Sequence, residues 1–226
     1  MFRILHLRVV AAAALALAAA SAQATQNWTY EVTVTNITYQ QRFTPLLLAT
    51  HEPTIAFFDL GKPASAGLRT LAEEGNVAPL KAALDAAPQI TQTVAGNSLL
   101  DPGQTITFRI QGNPRTDRLS IAAMLIPTND AFLALNSVAL PVHGTAAMNA
   151  IAYDSGTEIN DELCSSIPGP QFVECGGPGG GAQVGAGEGF VHVHRGVHGV
   201  GDLKASARDW RNPVARITIR RVGGSE

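Results

Sequence analysis

Residues 28–39 read WTYEVTVTNITY, and this stretch decides the fold class. Tyr30, Val32 and Val34 alternate with polar residues along it. A period of two in a segment rich in β-branched residues is typical of a strand with one buried face. The same alternation returns at residues 104–111, QTITFRIQ. Both stretches are therefore predicted to be half-buried β-strands.

Other apolar segments extend this pattern along the chain. Residues 119–126, LSIAAMLI, are more uniformly apolar, which predicts a central strand covered on both faces. Five shorter segments are predicted to be extended, at residues 43–50, 55–58, 138–142, 189–194 and 214–222. Short strands separated by turn signals indicate an antiparallel β-sandwich.

One long connection interrupts the strands with helical sequence. Residues 65–74 and 77–86 are rich in Ala and Leu, with Ser65 placed to cap the first helix and Gly75 to end it. The predicted fold class is therefore all-β, an antiparallel sandwich with one or two short helices in a long connection.

The first residues resemble an export signal. Arg3 and Arg8 precede an apolar run at residues 9–20, and Ala22 to Ala24 reads as a small-residue cleavage site. The run has twelve residues, whereas a membrane-spanning helix needs roughly 20. Residues 1–24 are therefore predicted to be a signal peptide, and residues 25–226 a single exported domain with no membrane span.

Charge and cysteine content restrict the possible partners and the compartment. The chain has a net charge of −2, which becomes −4 when the two arginines of the signal are removed. This balance argues against nucleic-acid binding, which normally requires a basic patch. In an oxidising compartment Cys164 and Cys175 are expected to form a disulfide, although a reactive or metal-binding pair is the alternative.

Acidic residues suggest a cation site. Asp130 follows a predicted strand, and Asp154 and Glu158 lie on either side of a Ser-Gly pair that allows a tight turn. Calcium takes six to eight oxygen ligands from carboxylates, carbonyls and water. Several carboxylates in close contact would repel one another without a cation. The alternative is that these are ordinary solvated loop residues.

Five segments resemble one family of extracellular domains. They are VTVTNIT at 32–38, FTPLLLATH at 43–51, SAGLRTLAEEG at 65–75, PTNDAF at 127–132 and YDSGTE at 153–158. Together they resemble bacterial members of the spondin N-terminal domain family, the domain found in F-spondin and mindin. The resemblance covers nearly all of the predicted mature chain.

The resemblance implies a C2-like β-sandwich with one calcium site at a loop end and a role in adhesion or extracellular recognition. The family's calcium carboxylates correspond to Asp130, Asp154 and Glu158 of this chain. Glu158 stands where the family has Asp, and Ser155 stands where it has Ala. A Trp that often follows the first Asp is replaced by Ala-Phe at residues 131–132.

Histidines suggest a second kind of metal site. His192, His194 and His198 occur in the segment VHVHRGVHG. Residues two apart on a strand share a face, so the first two imidazoles can lie side by side. Three imidazoles suit zinc or copper and leave one coordination position open. The alternative is that they are surface or packing histidines.

These observations predict an exported calcium-binding recognition or adhesion domain without catalytic activity. No nucleophile motif is present, and the glycine-rich stretch at 178–189 lacks the ending of a phosphate-binding loop. The expected ligand is an extracellular or envelope protein or a surface glycan, met in the periplasm or outside the cell. Two alternatives are a copper or zinc protein or metalloenzyme using the three histidines, and a structural envelope protein.

Overall fold

The computed structural model describes residues 27–169, 174–175, 180 and 187–224. The predicted signal peptide lies outside these residues, as does most of the glycine-rich stretch at 178–189. No helix within the described ranges is long and apolar enough to cross a membrane.

Ten strands and three short helices are formed by the described residues. The strands are β1 (Trp28–Asn36), β2 (Arg42–Phe43), β3 (Leu47–His51), β4 (Ile90–Ala95), β5 (Thr105–Gly112), β6 (Arg118–Ile126), β7 (Ala131–Ala139), β8 (Thr145–Asp154), β9 (His192–Val193) and β10 (Ala215–Gly223). The helices are α1 (Ala66–Glu74), α2 (Ala78–Asp85) and α3 (Ala205–Arg208).

The strands pair antiparallel in the order β4-β3-β6-β7-β8-β10-β1-β5, with β2 added to β6 and β9 added to β8. The result is an antiparallel all-β fold of sandwich or barrel type, which confirms the predicted fold class. In this order β8 joins two halves of the sheet, because it pairs with β7 on one side and with β10 on the other.

Two apolar clusters explain why β6 is apolar on both faces along most of its length. Ile121 belongs to the larger cluster, which fills the space between β6 and β7 on one side and β1, β5 and β10 on the other. Its neighbour Ala122 belongs to the second cluster, where Leu68 and Leu80 of the helices cover the outer face. The predicted central strand covered on both faces is confirmed.

Local signals in β1 and α1 are also confirmed. Along β1, Tyr30, Val32 and Val34 are fully buried, whereas the residues between them are partly exposed. Ser65 Oγ accepts a hydrogen bond from the backbone N–H of Leu68 at 3.2 Å, as expected of an N-cap. Gly75 ends α1 with φ +67°, a left-handed conformation that favours glycine.

Several strand predictions were incomplete. β4 and β8 were not predicted, and β7 was recognised only by its last residues within the predicted segment 138–142. The predicted segment 55–58 is not a strand, and only the two residues of β9 form a strand within 189–194. β8 reads TAAMNAIAYD, and alanine has little strand preference of its own. Its pairing with β7 and β10 therefore decides its conformation.

Cys164 and Cys175 form a disulfide, as predicted. The two residues are 11 positions apart, and Cys175 is buried in the larger apolar cluster. The bond therefore ties the chain beyond β8 to the core.

Breaking this disulfide is expected to lower the free energy of unfolding. For a loop of this length, the loss of unfolded-chain entropy contributes about 3 kcal/mol. Denaturant unfolding of the oxidised protein and of a double Cys164→Ala, Cys175→Ala variant measures the difference. Equal midpoints at equal slopes would contradict the expectation.

Candidate metal centre

The site begins where β7 and β8 meet. Asp130 directly precedes β7 and Asp154 is the last residue of β8, where it pairs with Ala131. The backbone N–H of Ser155 donates to the carbonyl oxygen of Asp130 at 3.3 Å. Asp130 is fully buried and Asp154 is 1% exposed. Strand pairing therefore places two buried carboxylates beside each other at one end of the sheet.

The two carboxylate oxygens of Asp130 differ in their surroundings. Oδ2 accepts hydrogen bonds from Ser155 Oγ at 2.8 Å, from Thr157 N at 2.8 Å and from Glu158 N at 3.1 Å. Oδ1 is buried and has no hydrogen-bond partner among the described residues. One oxygen of Asp130 therefore organises the turn after β8, and the other remains unsatisfied there.

Asp154 is held by residues of that same turn. Its Oδ1 accepts from the backbone N–H of Gly156 at 2.7 Å, and its Oδ2 accepts from Asn160 Nδ2 at 2.7 Å. Each oxygen retains a further lone pair for another partner. The carboxylate is thus fixed in direction while it keeps the capacity to bind a cation.

Burial makes the ionised state of this pair unfavourable. Desolvation is the main cause that raises the pKa of Asp154 to about 7, and the charge of Asp130 raises it further. Desolvation likewise raises the pKa of Asp130, against the hydrogen bonds from the turn, and the charge of Glu188 adds to the effect. A bound cation would favour the charged forms of both groups.

Gly156 brings a distant segment to this turn. Its carbonyl oxygen accepts from Gly189 N at 2.8 Å, and its φ is +67°. A Cβ atom at this position would lie 2.2 Å from the carbonyl oxygen of Phe190. The close approach of the two backbones places Glu188 and His192 next to Asp154.

His192 pairs with Asp154 across β8 and β9. Its Nε2 lies 3.7 Å from Asp154 Oδ1 and 3.6 Å from Glu188 Oε2. Ligand atoms of Asp154, Glu188 and His192 all lie within 4.8 Å of one another. Groups this close together could hold one metal ion.

His194 is buried and has a different environment. Its Nδ1 accepts from Gly196 N at 3.0 Å, so the neutral ring carries its proton on Nε2, which lies 3.2 Å from Asn160 Oδ1. Burial is the main cause that lowers the pKa of His194 to about 3, and nearby His192 and His198 lower it further. His194 is therefore neutral, with both ring nitrogens engaged.

Comparison with known proteins is consistent with this architecture. A family model described as Spondin_N matches residues 22–164, which is more than half of the chain. The chain belongs to the spondin N-terminal domain family. No curated protein shows a significant match to it. The family and the disulfide support an exported domain of the extracellular recognition type.

The predicted calcium residues all lie within the part of this spondin domain that matches the family. Asp130 and Asp154 are brought together, and Glu158 is buried beside them with its N–H bound to Asp130. Within the described ranges, the three carboxylates are not a group with ligand atoms inside 4.8 Å. Calcium ligation by all three therefore stays a prediction, and binding would draw these side chains closer together.

The three predicted histidines of the spondin domain lie in three different environments. His192 faces the carboxylates, His194 is buried, and His198 is exposed. In the part of the chain that the structure describes, they are not a group with ligand atoms within 4.8 Å. A site formed by all three stays a prediction.

Sequence reasoning missed Glu188. It lies in the glycine-rich stretch, beyond the residues that match the family. Its position four residues before His192 was the one available signal, but that spacing has no fixed meaning outside a helix.

Proposed function

We propose that this spondin domain is an exported, non-catalytic recognition module in which Asp130, Asp154 and Glu158 hold one calcium ion. The ion orders the turn after β8 and the start of β7 into a surface for an extracellular protein or a glycan. The family and the disulfide support the exported recognition role. Calcium binding and the absence of catalytic activity are our proposal.

The observation that carries the proposal is the pair of buried carboxylates at adjoining strand ends. Ionised carboxylates are rarely buried unless they are paired with a cation or bind a metal. Asp130 Oδ1 has no hydrogen-bond partner among the described residues. A calcium ion would satisfy this oxygen and compensate for the mutual repulsion of Asp130 and Asp154.

The donor set fits calcium in its chemistry. Calcium prefers oxygen ligands at about 2.3–2.6 Å and accepts flexible geometry. Glu158 supplies a third carboxylate, and it is 1% exposed. Its side chain is one methylene longer than that of Asp, which lets the carboxylate move without displacing the turn.

The segments around the site offer a contact surface. Ile159, Phe190 and Val193 are exposed, by 53%, 42% and 46%. They lie on the turn after β8 and on the segment that packs against it. Exposed apolar side chains on such segments are available to contact a partner. An ion that fixes these segments would therefore fix the proposed binding surface.

Calcium is expected to stabilise the wild-type protein and not an Asp130→Asn variant. The Asn oxygen can replace Oδ2 as acceptor for the turn, while its amide replaces the oxygen proposed to bind calcium. At 100 times the Kd, calcium contributes about 2.7 kcal/mol, which raises Tm by roughly 5–11 °C in a domain of this size. Thermal unfolding in chelator and in calcium measures the shift.

Asp117→Asn is the matched control for that experiment. Asp117 directly precedes β6, at the end of the sheet opposite to Asp130. This variant is expected to show the full calcium shift. A wild-type Tm that is the same in chelator and in millimolar calcium would refute the calcium proposal.

A further inference from the structure

The imidazole of His192 is oriented by its own backbone. Nδ1 lies 3.2 Å from the carbonyl oxygen of Val193, which can only accept a hydrogen bond. The neutral ring therefore carries its proton on Nδ1, and the lone pair of Nε2 points towards Asp154 and Glu188. A histidine that binds a metal usually has this arrangement, with the second ring nitrogen donating to a carbonyl or carboxylate.

The atoms that face Nε2 are carboxylate oxygens, which are also acceptors. They lie at 3.6 and 3.7 Å, and Nε2 is buried with no hydrogen-bond partner among the described residues. A protonated imidazole would be expected to approach a carboxylate to about 2.7–2.9 Å. Both observed separations are longer than that, so no hydrogen bond joins Nε2 to either carboxylate, although the three potential ligand atoms lie close together.

The separations suit a tetrahedral metal ion. With bonds of about 2.0–2.1 Å, two ligands of tetrahedral zinc lie about 3.3–3.4 Å apart. His192 Nε2 lies 3.7 Å from Asp154 Oδ1 and 3.6 Å from Glu188 Oε2, so only small side-chain movements would bring these atoms to the distances of zinc ligands. The fully buried Asp130 lies at the same end of the sheet, and its Oδ1 has no hydrogen-bond partner among the described residues.

The nitrogen ligand decides the class of metal. Calcium and magnesium prefer oxygen ligands, whereas imidazole suits zinc, copper, nickel and iron. Two carboxylates and one imidazole make three protein ligands, which leaves one position open in a tetrahedral site. Glu188 is exposed, so the ion would be reachable from solvent and from a partner.

We infer that Asp154, Glu188 and His192 form a binding site for a divalent transition metal of the zinc class. Two of the three residues lie beyond the part of the chain that matches the family. The site shares Asp154 with the proposed calcium site, but it does not require that calcium binds. The ion would fasten the segment that carries β9 to the end of β8.

Zinc titration of the mature chain tests the inference. Chelator-treated protein is titrated by calorimetry, and cobalt(II) absorption reports tetrahedral coordination. We expect one equivalent of zinc to bind. The affinity should fall by about 100-fold or more in His192→Ala and by about 10-fold or more in Glu188→Gln, since even residues that only support a ligand contribute about 10–100-fold. The exposed His143 is absent from the group, so His143→Ala should bind zinc like the wild type.

Further variants separate this site from its alternatives. Asp130→Asn should lose the calcium shift and keep zinc binding, whereas His192→Ala should lose zinc binding and keep the calcium shift. The two proposals can therefore fail independently. Zinc binding that is unchanged in His192→Ala, or no binding at 100 times the protein concentration, would overturn the inference. Equal losses in His192→Ala, His194→Ala and His198→Ala would also overturn it in favour of a three-histidine site.

Discussion

Replacing Gly156 with alanine is expected to lower the free energy of unfolding by more than about 3 kcal/mol. The glycine adopts φ +67°, and the added Cβ would lie 2.2 Å from Phe190 O and 2.7 Å from Phe190 N. Both are backbone atoms, so no side-chain rotation relieves the overlap. The turn after β8 and the segment before β9 would have to separate. Denaturant unfolding measures the effect.

Gly103→Ala is the matched control for the backbone conformation. Gly103 has φ +76°, but a Cβ there would meet no atom within 4 Å. Its replacement should cost only about 1 kcal/mol, the conformational cost of a left-handed alanine. The difference between their losses in unfolding free energy measures the contribution of the close backbone approach at Gly156. Equal losses of stability would mean that the approach of the two backbones contributes nothing.

The Gly156 variant should also bind zinc more weakly. Glu188 and His192 reach Asp154 through this contact between backbones, and Gly156 N holds Asp154 Oδ1. In Gly103→Ala the zinc affinity should be unchanged.

Without metal ions, the contribution of the acidic pair to stability is expected to decrease as pH rises from about 4 to about 7. Asp154 has a pKa of about 7 in the folded protein and an ordinary value of 3.8. Between these values the folded protein retains a proton that the unfolded chain has released. Raising the pH therefore favours unfolding. For this one group the effect has an upper limit on the order of 4 kcal/mol.

Buried histidines have the opposite effect on the pH dependence of stability. Burial lowers the pKa of His51 and lowers that of His194 to about 3. Because the unfolded chain takes up protons at these residues below their ordinary value of 6.5, stability is lost as pH falls through that range. The wild-type profile is the sum of both trends, so the profile alone does not isolate the carboxylates.

Comparison with Asp130→Asn separates the two trends. The histidines are the same in both proteins, so their contributions largely cancel in the difference. In chelator, the variant should become more stable relative to the wild type as pH rises from 5 to 8, because the variant has lost one of the two buried acids. Saturating calcium should reverse the order. A difference that stays constant over this pH range would contradict the raised pKa values.

Much of the fold could be predicted because local sequence and tertiary environment agree. The alternation in β1, the largely apolar sequence of β6 and the Ser65 cap each specify the structure that is observed. β8 could not be recognised in this way. Its alanine-rich sequence has no clear period of apolar residues, and its conformation depends on the strands to either side.

Part of the candidate site could also be predicted from the sequence. Asp130 stands out because it follows a predicted strand, and Asp154 because it lies next to the Ser-Gly turn signal. Glu188 could not be found, because it reaches Asp154 through the contact of Gly156 with Gly189 rather than through any local pattern. A close approach of two backbones depends on tertiary structure, and the glycines that permit it look like ordinary loop residues in the sequence.

The position of Asp154 at the end of β8 also affects how an ion would bind. At Asp154 the strand pairs with Ala131 of β7 and with His192 of β9, so this ligand is preorganised and loses little freedom when it is coordinated. The entropic penalty of coordination falls mainly on residues outside the sheet, such as Glu188. Substitutions in those residues should therefore change how long an ion stays bound while leaving the sheet itself unaltered.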